Sequence, residues 1–234
     1  MSREIAILMA AGLGSRMKPL TDTTAKPLVA VNGTPLIETV LAALKRRGVS
    51  DIYVVVGYKK EQFAELAARH SNVHLIENLE FATKNNINSI AVAAREMASA
   101  DCFVCEADLF LPDSNVLCRD LRDSGYFGRM VKGHSDDWIF ETDTDRRILA
   151  IHKGGVDCYN MVGISYFKRA DAARIAAAVL DRAQDGDWAQ KFWDDVVDEL
   201  VKQDLDLVVH EVQNGEIVEC DTVEDLKQLE ASLK

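Results

Sequence analysis

The sequence has no apolar run long enough to cross a membrane. Its hydrophobic content is 48%, but no stretch approaches the roughly 20 consecutive apolar residues that a membrane-spanning helix requires. The apolar run near the N-terminus is also too short for a signal peptide, and it leads directly into glycine-rich sequence. We therefore expect neither a cleaved signal peptide nor membrane insertion.

Basic residues are scarce relative to acidic ones. The chain has 27 Lys and Arg against 38 Asp and Glu, which gives a formal net charge of −11. Nucleic acids and anionic membrane surfaces attract basic proteins and repel one with this balance. We therefore exclude both as partners and expect any basic cluster to serve a local phosphate site.

Cysteines are few, odd in number and scattered, at positions 102, 105, 118, 158 and 220. This pattern does not form a disulfide framework and is typical of the reducing cytoplasm, where we place the protein. Cys102 and Cys105 have the spacing of paired metal ligands. In a probable strand, however, residues three apart point to opposite faces, so we favour buried thiols over a zinc site.

The chain is richest in chemical signals at residues 5–17, IAILMAAGLGSRM. The apolar run predicts a buried strand that ends at Gly12 and Gly14, where the backbone turns sharply or a ligand approaches closely. Backbone N–H groups of such a loop, with Arg16 beside them and Lys26 farther on, form an anion site. A Gly-x-Gly after a strand is also typical of an ordinary tight turn. The Rossmann and P-loop fingerprints are both absent.

Strand and helix patterns alternate through the first half of the chain. We predict strands at 5–10, 51–57, 73–77 and 102–108, and helices at 34–48, 60–69 and 89–97. This alternation favours a Rossmann-like, doubly wound sheet, in which ligands bind beyond the carboxyl ends of the strands. The glycine loop and Asp108 would both lie there.

The rhythm changes after Asp108. We predict short strands at 125–132, 138–141, 147–151, 161–167, 206–211 and 216–219, and helices at 171–183, 188–202 and 223–233. Residues 125–155 are interpreted as a small antiparallel insertion over the acceptor site. Because no linker, repeat or low-complexity tract interrupts the chain, we expect one domain over residues 1–234.

Asp108 and Asp221 each end a predicted strand. Two carboxylates at strand ends can converge on one Mg²⁺, which also takes phosphate oxygens and water as ligands. The string Asp221-Thr222-Val223-Glu224 is also compatible with a helix N-cap. Both interpretations stay open from these residues alone.

The glycine loop and the segment Thr24-Ala25-Lys26-Pro27-Leu28-Val29 together resemble the signature of nucleotidyltransferases that activate sugar phosphates and phospho-alcohols with an NTP. The resemblance implies the nucleotide-diphospho-sugar transferase type of mixed sheet, and Mg²⁺-dependent in-line attack of an acceptor phosphate on the α-phosphorus. It implies catalytic roles for Arg16, Lys26, Asp108 and Asp221, the two aspartates holding the metal. Nucleotide contacts are implied for Ala10, Ala11, Gly12, Leu13, Gly14, Ser15, Gly57, Asn86, Ser89 and Ala107.

The branch of this family is indicated by residues 77–89. In place of a Gln-Gly-Thr-type segment, they hold Asn85-Asn86-Ile87-Asn88-Ser89, which resembles the Asn-Asn-x-x-Ser segment of bacterial CTP:phosphocholine cytidylyltransferases. The resemblance implies CTP and phosphocholine as substrates, and it allows for a homodimer. Alternatives are 2-aminoethylphosphonate or phosphoethanolamine as acceptor, a sugar-1-phosphate nucleotidyltransferase, and a catalytically silent nucleotide-binding module.

Aromatic residues beside carboxylates support a cationic acceptor. A quaternary ammonium is recognised by aromatic faces and nearby carboxylates. Trp138 follows Asp136-Asp137, and Phe192-Trp193 precedes Asp194-Asp195. We favour Trp138 and Trp193 over Phe192, although core packing is the alternative role for each. Lys153 is similar to a lysine that meets the acceptor phosphate in the family, or it is a solvated hairpin lysine. The implied acceptor contacts are Trp138, Lys153, Phe192, Trp193, Asp194 and Glu219.

Overall fold

A computed structural model describes residues 2–233. Its central feature is a seven-stranded mixed sheet with the strand order β10-β8-β9-β6-β1-β4-β5. The strands are β1 (Glu4–Ala10), β2 (Ala30–Val31), β3 (Thr34–Pro35), β4 (Asp51–Val56), β5 (Val73–Glu77), β6 (Asp101–Glu106), β7 (Leu109–Phe110), β8 (Gly125–Thr142), β9 (Ile148–Phe167), β10 (Val208–Glu211) and β11 (Val218–Glu219). The helices are α1 (Leu36–Arg47), α2 (Ala64–Arg69), α3 (Ile87–Val92), α4 (Ala94–Met97), α5 (Arg169–Arg182), α6 (Trp193–Gln203) and α7 (Val223–Ser232).

Strand β1 lies at the centre, parallel to β4 on one side and to β6 on the other. Its side chains are buried on both faces because helices cover both. One hydrophobic core packs α3, α4, α5 and α6 against the first face. A second core packs α1 and α2 against the other. The doubly wound sheet predicted from the sequence is therefore confirmed.

The entry to α1 differs from the prediction. Thr34 and Pro35 form β3, which pairs with β2, and the helix begins at Leu36. The cause is the Asn32-Gly33 pair, whose φ values of 46° and 86° match the tight turn that Asn-Gly favours between antiparallel strands. Gly48 ends the helix in the left-handed conformation, as predicted.

The three short strands expected between residues 125 and 151 are parts of two long ones. Strands β8 and β9 form an antiparallel hairpin whose base belongs to the central sheet and whose far half extends beyond it. The register shifts repeatedly along this hairpin. The single helix predicted over 89–97 begins two residues earlier and is divided at Ala93 into α3 and α4. The helix predicted over 188–202 begins later, at Trp193.

Within residues 2–233, no helix is both long and apolar enough to cross a membrane. The five cysteines are free thiols, and Cys102 and Cys105 are buried in β6.

Candidate active site

The glycine loop follows β1 and is shaped by Gly14. This residue has a φ of 63°, and a Cβ built on it would lie 2.9 Å from both Lys26 Cβ and Thr21 Cγ2. Only glycine fits this combination of a left-handed backbone and close neighbours. The Gly14 carbonyl accepts hydrogen bonds from the Met17 N–H at 3.0 Å and the Thr21 hydroxyl at 2.9 Å. The loop is therefore held as a tight turn by its own hydrogen bonds, and no atom lies within 4 Å of the position that a Gly12 Cβ would take.

A second segment clamps this loop in place. The Tyr58 hydroxyl donates to the Thr21 carbonyl at 3.0 Å, and the Gln62 amide donates to the Thr23 carbonyl at 2.7 Å. Gln62 Oε1 also accepts from the Ala25 N–H at 2.8 Å. These bonds fix the backbone that leads into Lys26. Gly57 is required beside them, because a Cβ there would lie 2.7 Å from Phe81.

The four residues predicted to be catalytic converge. Lys26 Nζ lies 2.6 Å from Asp108 Oδ2 and 2.6 Å from Asp221 Oδ1. Arg16 Nη2 lies 2.8 Å from the same Asp221 oxygen. Two cations and two carboxylates from distant parts of the chain therefore meet at the carboxyl end of β1 and β6.

Strand pairing explains why the two aspartates are neighbours. Strands β7 and β11 pair antiparallel, and the Cys220 N–H donates to the Asp108 carbonyl at 3.3 Å. The sequence also allowed Asp221 to be the N-cap of the last helix. In the structure the N-cap of α7 is the next residue, Thr222, which exchanges hydrogen bonds with Asp225. The Asp221 carboxylate is thereby left available for the cluster.

The donor set fits a divalent cation. Asp108 Oδ1 is buried and has no hydrogen-bond partner among residues 2–233. An orphaned carboxylate oxygen beside a second carboxylate is what a hard oxygen-seeking metal such as Mg²⁺ requires. No three His, Cys, Asp or Glu side chains of the described chain are arranged to hold a metal by themselves. The remaining ligands would be phosphate oxygens and water.

Charges in the cluster shift each other's protonation. Burial acts to lower the pKa of Lys26, but the adjacent carboxylates of Asp108 and Asp221 outweigh it and raise that pKa. Burial acts to raise the pKa of Asp221, but the Lys26 hydrogen bond and charge hold it below its ordinary value. Lys26 is therefore cationic and Asp221 anionic at neutral pH. Both forms suit the binding of metal and phosphate.

Two glutamates adjoin the aspartates in sequence and in space. Burial and the neighbouring Asp221 and Asp108 carboxylates raise the pKa of Glu219 to about 8. Burial, followed by the charge of Asp108, also raises the pKa of Glu106. Glu219 is one of the acceptor contacts that the family resemblance implies, whereas no role is predicted from the sequence for Glu106. The same Glu-x-Asp spacing occurs in Glu106-Ala107-Asp108 and in Glu219-Cys220-Asp221, and this repetition could have indicated Glu106 from the sequence.

A cavity of about 240 Å³ lies beside the glycine loop. Its wall contains the predicted nucleotide contacts Ala11, Gly12, Asn86 and Ser89, together with Phe81 and Asn78. Ala10, Gly14 and Ser15 line the adjoining phosphate side near Lys26. Leu13 is exposed, whereas Ala107 is fully buried behind the site.

A second cavity, of about 300 Å³, opens next to the first and borders the catalytic cluster. It is lined by the predicted acceptor contacts Trp138, Lys153, Phe192, Asp194 and Glu219, and also by Arg129, Asp136 and Asp137. The rings of Trp138 and Phe192 meet edge to face at 5.4 Å. Lys153 Nζ lies 5.4 Å from the centroid of each ring. The aromatic pair is thus already in contact with an ammonium group of the protein.

The structure places Phe192 at the acceptor cavity and Trp193 in the core behind it, which corresponds to the core-packing alternative for Trp193. Trp193 is 3% exposed and packs in the core, stacked on Tyr126 at 5.8 Å and edge-on to Phe167 at 6.0 Å. Because α6 begins at Trp193 rather than at residue 188, Phe192 lies before the first turn and reaches the cavity. Asp194 is 5% exposed and accepts a hydrogen bond from the Tyr126 hydroxyl at 3.1 Å. Burial raises the pKa of Asp194 to about 7.

The two cavities share a wall. The Asn85 N–H donates to the Ala189 carbonyl at 2.7 Å, and the Gln190 amide donates to the Thr83 carbonyl at 2.9 Å. The Trp193 N–H donates to Asn86 Oδ1 at 3.0 Å. Residues 83–86 of the nucleotide side are thereby joined to residues 189–193 of the acceptor side.

The sequence model of the MobA-like NTP transferase domain matches residues 6–153. The chain belongs to this family. It is 49% identical over 221 residues to the 2-aminoethylphosphonate cytidylyltransferase of Lancefieldella rimae, which covers 94% of this chain and 89% of that protein. It is 34% identical over 229 residues to the choline-phosphate cytidylyltransferase of Streptococcus pneumoniae, covering 98% of both chains.

The solved structure of the CTP:phosphocholine cytidylyltransferase from Streptococcus pneumoniae superposes on the chain with a TM-score of 0.91 and 35% identity. The alignment covers 99% of this chain and 100% of that one. The chain is therefore a nucleotidyltransferase with the nucleotide-diphospho-sugar transferase fold. The family resemblance drawn from the loop and from residues 77–89 is confirmed.

Proposed function

We propose that this chain is a cytidylyltransferase that moves CMP from CTP to a small phosphonate or phosphate bearing an ammonium group, with release of pyrophosphate. The meeting of Arg16, Lys26, Asp108 and Asp221 supports this chemistry, because it supplies cations for a triphosphate and carboxylates for its metal. The relatives of similar length that use CTP support the choice of nucleotide.

The first candidate for the acceptor is 2-aminoethylphosphonate. The acceptor cavity is lined by the side-chain carboxyl groups of Asp136 and Asp137, together with those of Glu106, Asp194, Glu219 and Asp221. A primary ammonium donates three hydrogen bonds and is best satisfied by such oxygens. Asp137 is held for this role, since the Asn160 amide donates to its Oδ2 at 3.0 Å. The 49% identical relative named for this acceptor points the same way.

Phosphocholine is the second candidate, and the Trp138–Phe192 pair is the observation that favours it. Aromatic faces attract a quaternary ammonium that cannot donate hydrogen bonds. Lys153 competes for these faces, because its own ammonium already contacts both rings. For a choline group to occupy the pair, Lys153 would have to turn away, for example toward the acceptor phosphate.

The reaction requires positioning more than proton transfer. A phosphate or phosphonate dianion is already a nucleophile near pH 7, so the chain need not supply a general base. The backbone N–H groups of the glycine loop, with Arg16 and Lys26, bind the triphosphate and offset its repulsion of the incoming anion. Asp108 and Asp221 would hold Mg²⁺, which neutralises charge on the phosphoryl oxygens.

Pyrophosphate release from CTP should be measured with 2-aminoethylphosphonate, phosphoethanolamine, phosphocholine and glucose 1-phosphate. We expect kcat/KM to be at least tenfold higher for 2-aminoethylphosphonate than for phosphocholine. The reverse order would overturn the acceptor assignment and keep the cytidylyltransferase. Preference for the sugar phosphate, or CTP binding without turnover on any acceptor, would overturn the proposed reaction.

The same assay tests the metal. Turnover should stop in excess EDTA and return when Mg²⁺ is added beyond the chelator. Unchanged turnover in EDTA would contradict a magnesium site at Asp108 and Asp221.

Because all five cysteines are free thiols, we keep the cytoplasm as the proposed compartment.

A further inference from the structure

Three buried polar side chains form a small network against the nucleotide cavity. Asn78 is 1% exposed, Ser89 is 4% exposed and Asn88 is 5% exposed. Asn78 and Ser89 both line the cavity, and Asn88 lies behind them in α3. Buried polar groups that bond to one another restrict each other's orientation, so this network can fix the direction of the groups that it presents to the cavity.

The orientation of the Asn78 amide follows from its partners. The Glu80 backbone N–H, which can only donate, lies 3.0 Å from one end of this amide. That end is therefore the carbonyl oxygen, and it also accepts from the Asn88 amide nitrogen at 2.6 Å. The other end is the NH₂ group, and it donates to the Ser89 hydroxyl oxygen at 3.2 Å.

The direction of the Ser89 hydroxyl proton follows in turn. Because the Ser89 oxygen accepts from Asn78, its proton must point elsewhere. Across residues 2–233 no side-chain or backbone acceptor bonds to that proton, and the residue lines the nucleotide cavity. This proton is therefore available to donate to an acceptor atom of a ligand in the cavity.

We propose that Asn78, locked by Asn88, is a positioning residue that orients the Ser89 hydroxyl as a donor toward N3 of the base and so makes the site select cytosine over uracil. This inference rests on the proposed use of CTP. Cytosine presents an unprotonated N3 that accepts a hydrogen bond, whereas uracil presents an N3–H that donates. A fixed donor satisfies the first base and leaves two hydrogens opposed with the second, which is the stronger form of discrimination.

Asn78→Asp reverses the polarity with little change in shape. The new carboxylate still accepts from the Glu80 N–H and the Asn88 amide, but it now also accepts from the Ser89 hydroxyl. Ser89 would then present a lone pair to the base. Dissociation constants for Mg·CTP and Mg·UTP should be measured by calorimetry without acceptor, and the preference for CTP should fall about tenfold or more.

Two further variants separate positioning from a structural effect. In a Ser89→Ala background, Asn78→Asp should leave the CTP-to-UTP ratio unchanged if Asn78 acts through the hydroxyl, whereas a changed ratio would show that Asn78, which also lines the cavity, acts on the nucleotide directly. Asn72→Asp makes the same chemical change at the opposite end of the sheet, where the Asn72 amide bonds to the Val49 carbonyl, and should leave the ratio as in the wild type. Melting temperatures of all variants show whether each one folds.

These measurements test the role of the Asn78 network separately from the proposed use of CTP. A wild type that binds neither nucleotide, or prefers UTP, would overturn the proposed use of CTP. A wild type that prefers CTP, combined with a folded Asn78→Asp protein of unchanged ratio, would overturn the network's role alone. An equal fall in affinity for both nucleotides would also overturn it, because that is the sign of a loosened cavity.

Discussion

Lys26 is the side chain around which the catalytic charges are arranged. It bonds to Asp108 and Asp221 with equal 2.6 Å distances, and each carboxylate keeps a second oxygen. A lysine between two carboxylates holds them close together despite their repulsion. Binding of metal and triphosphate would shift Lys26 from these carboxylates to phosphate oxygens, which carry the same kind of charge. The amine therefore prepares the site for the ligands that replace it.

Replacement of Asp108 by Asn tests this arrangement. The orphaned Oδ1 loses its charge, so we expect kcat/KM to fall by roughly 10² to 10³. The melting temperature should not fall markedly, because Lys26 retains Asp221 as partner. Pyrophosphate release and thermal unfolding provide the two measurements. The exposed, Arg122-paired Asp120→Asn is a matched control that should keep wild-type activity; activity of Asp108→Asn within tenfold of wild type would contradict the role.

Asp194 makes folding stability depend on pH. Burial raises its pKa to about 7 in the folded chain, whereas an unfolded Asp titrates near 3.9. Between these values the folded state holds a proton that the unfolded state has lost, so stability falls as pH rises and levels off above pH 7. The Asp194→Asn variant keeps an oxygen that accepts the Tyr126 hydrogen bond. Because its amide does not titrate, its free energy of unfolding should lack this dependence on pH.

From pH 5 to pH 8 we therefore expect Asp194→Asn to gain roughly 2 kcal/mol of unfolding free energy relative to the wild type. The measurement is urea unfolding of both proteins at each pH, with the exposed Asp181→Asn as control. A difference between variant and wild type that stays constant with pH would show that Asp194 is ionised in the folded chain.

The β8–β9 hairpin contains glycines whose backbone requirements can be compared directly. Gly163 has a φ of 74°, and its Cβ would lie 3.1 Å from both Glu106 Oε2 and Leu109 Cδ2. Gly133 has a similar φ of 82°, but no atom lies within 4 Å of its Cβ position. A side chain at either site would carry the same conformational cost of a positive φ. The two sites differ in the space that is available to an added Cβ.

Gly133→Ala should accordingly lose about 1 kcal/mol of stability and keep full activity. Gly163→Ala should lose roughly 1 to 2 kcal/mol more and reduce kcat/KM, because Glu106 and β7 must move away from the catalytic cluster. Denaturant unfolding and steady-state kinetics on both variants provide the comparison. Equal activity of the two variants would argue that the contact with Glu106 is unimportant.

Elements whose signals are local were predictable from the sequence. Strand β1, its glycine loop and Gly48 at the end of α1 depend on a few adjacent residues, and all were placed correctly. The extent of β8 and β9 depends on pairing with distant strands, so the prediction divided them. The Trp193 N–H at the start of α6 bonds to Asn86, more than 100 residues away, so the pattern of adjacent residues did not show that Phe192 would line the cavity and Trp193 the core. The Asn78 network joins residues only 2 to 11 positions apart, but it depends on the turn between β5 and α3, which no residue pattern indicated.

Residues 2–233 are organised around one seven-stranded sheet with a large hydrophobic core on each face, and a smaller third cluster includes Leu226 and Leu229 of α7. Because β1 contributes side chains to both cores, neither can come apart without exposing the other. The base of the β8–β9 hairpin lies in that sheet. We therefore propose that the chain is a single domain in which residues 125–155 are an extension over the acceptor site.

Unfolding should then be one cooperative transition. Variants that retain only Trp138, in the hairpin, or only Trp193, in the core, would report the two regions by fluorescence. We expect both midpoints to coincide with that of far-UV circular dichroism in urea. An earlier midpoint for Trp138 alone would show that the hairpin opens as an independent unit.

The hydrogen bonds that join residues 83–86 to residues 189–193 have a consequence for the order of events in catalysis. A substrate that orders the shared wall orders it for the other substrate as well. The first ligand to bind therefore bears the loss of conformational entropy, and the second binds to a wall that is already ordered. Linkage then requires reciprocity: the factor by which CTP tightens the acceptor equals the factor by which the acceptor tightens CTP. Because the two cavities share this wall, binding of one substrate should favour binding of the other.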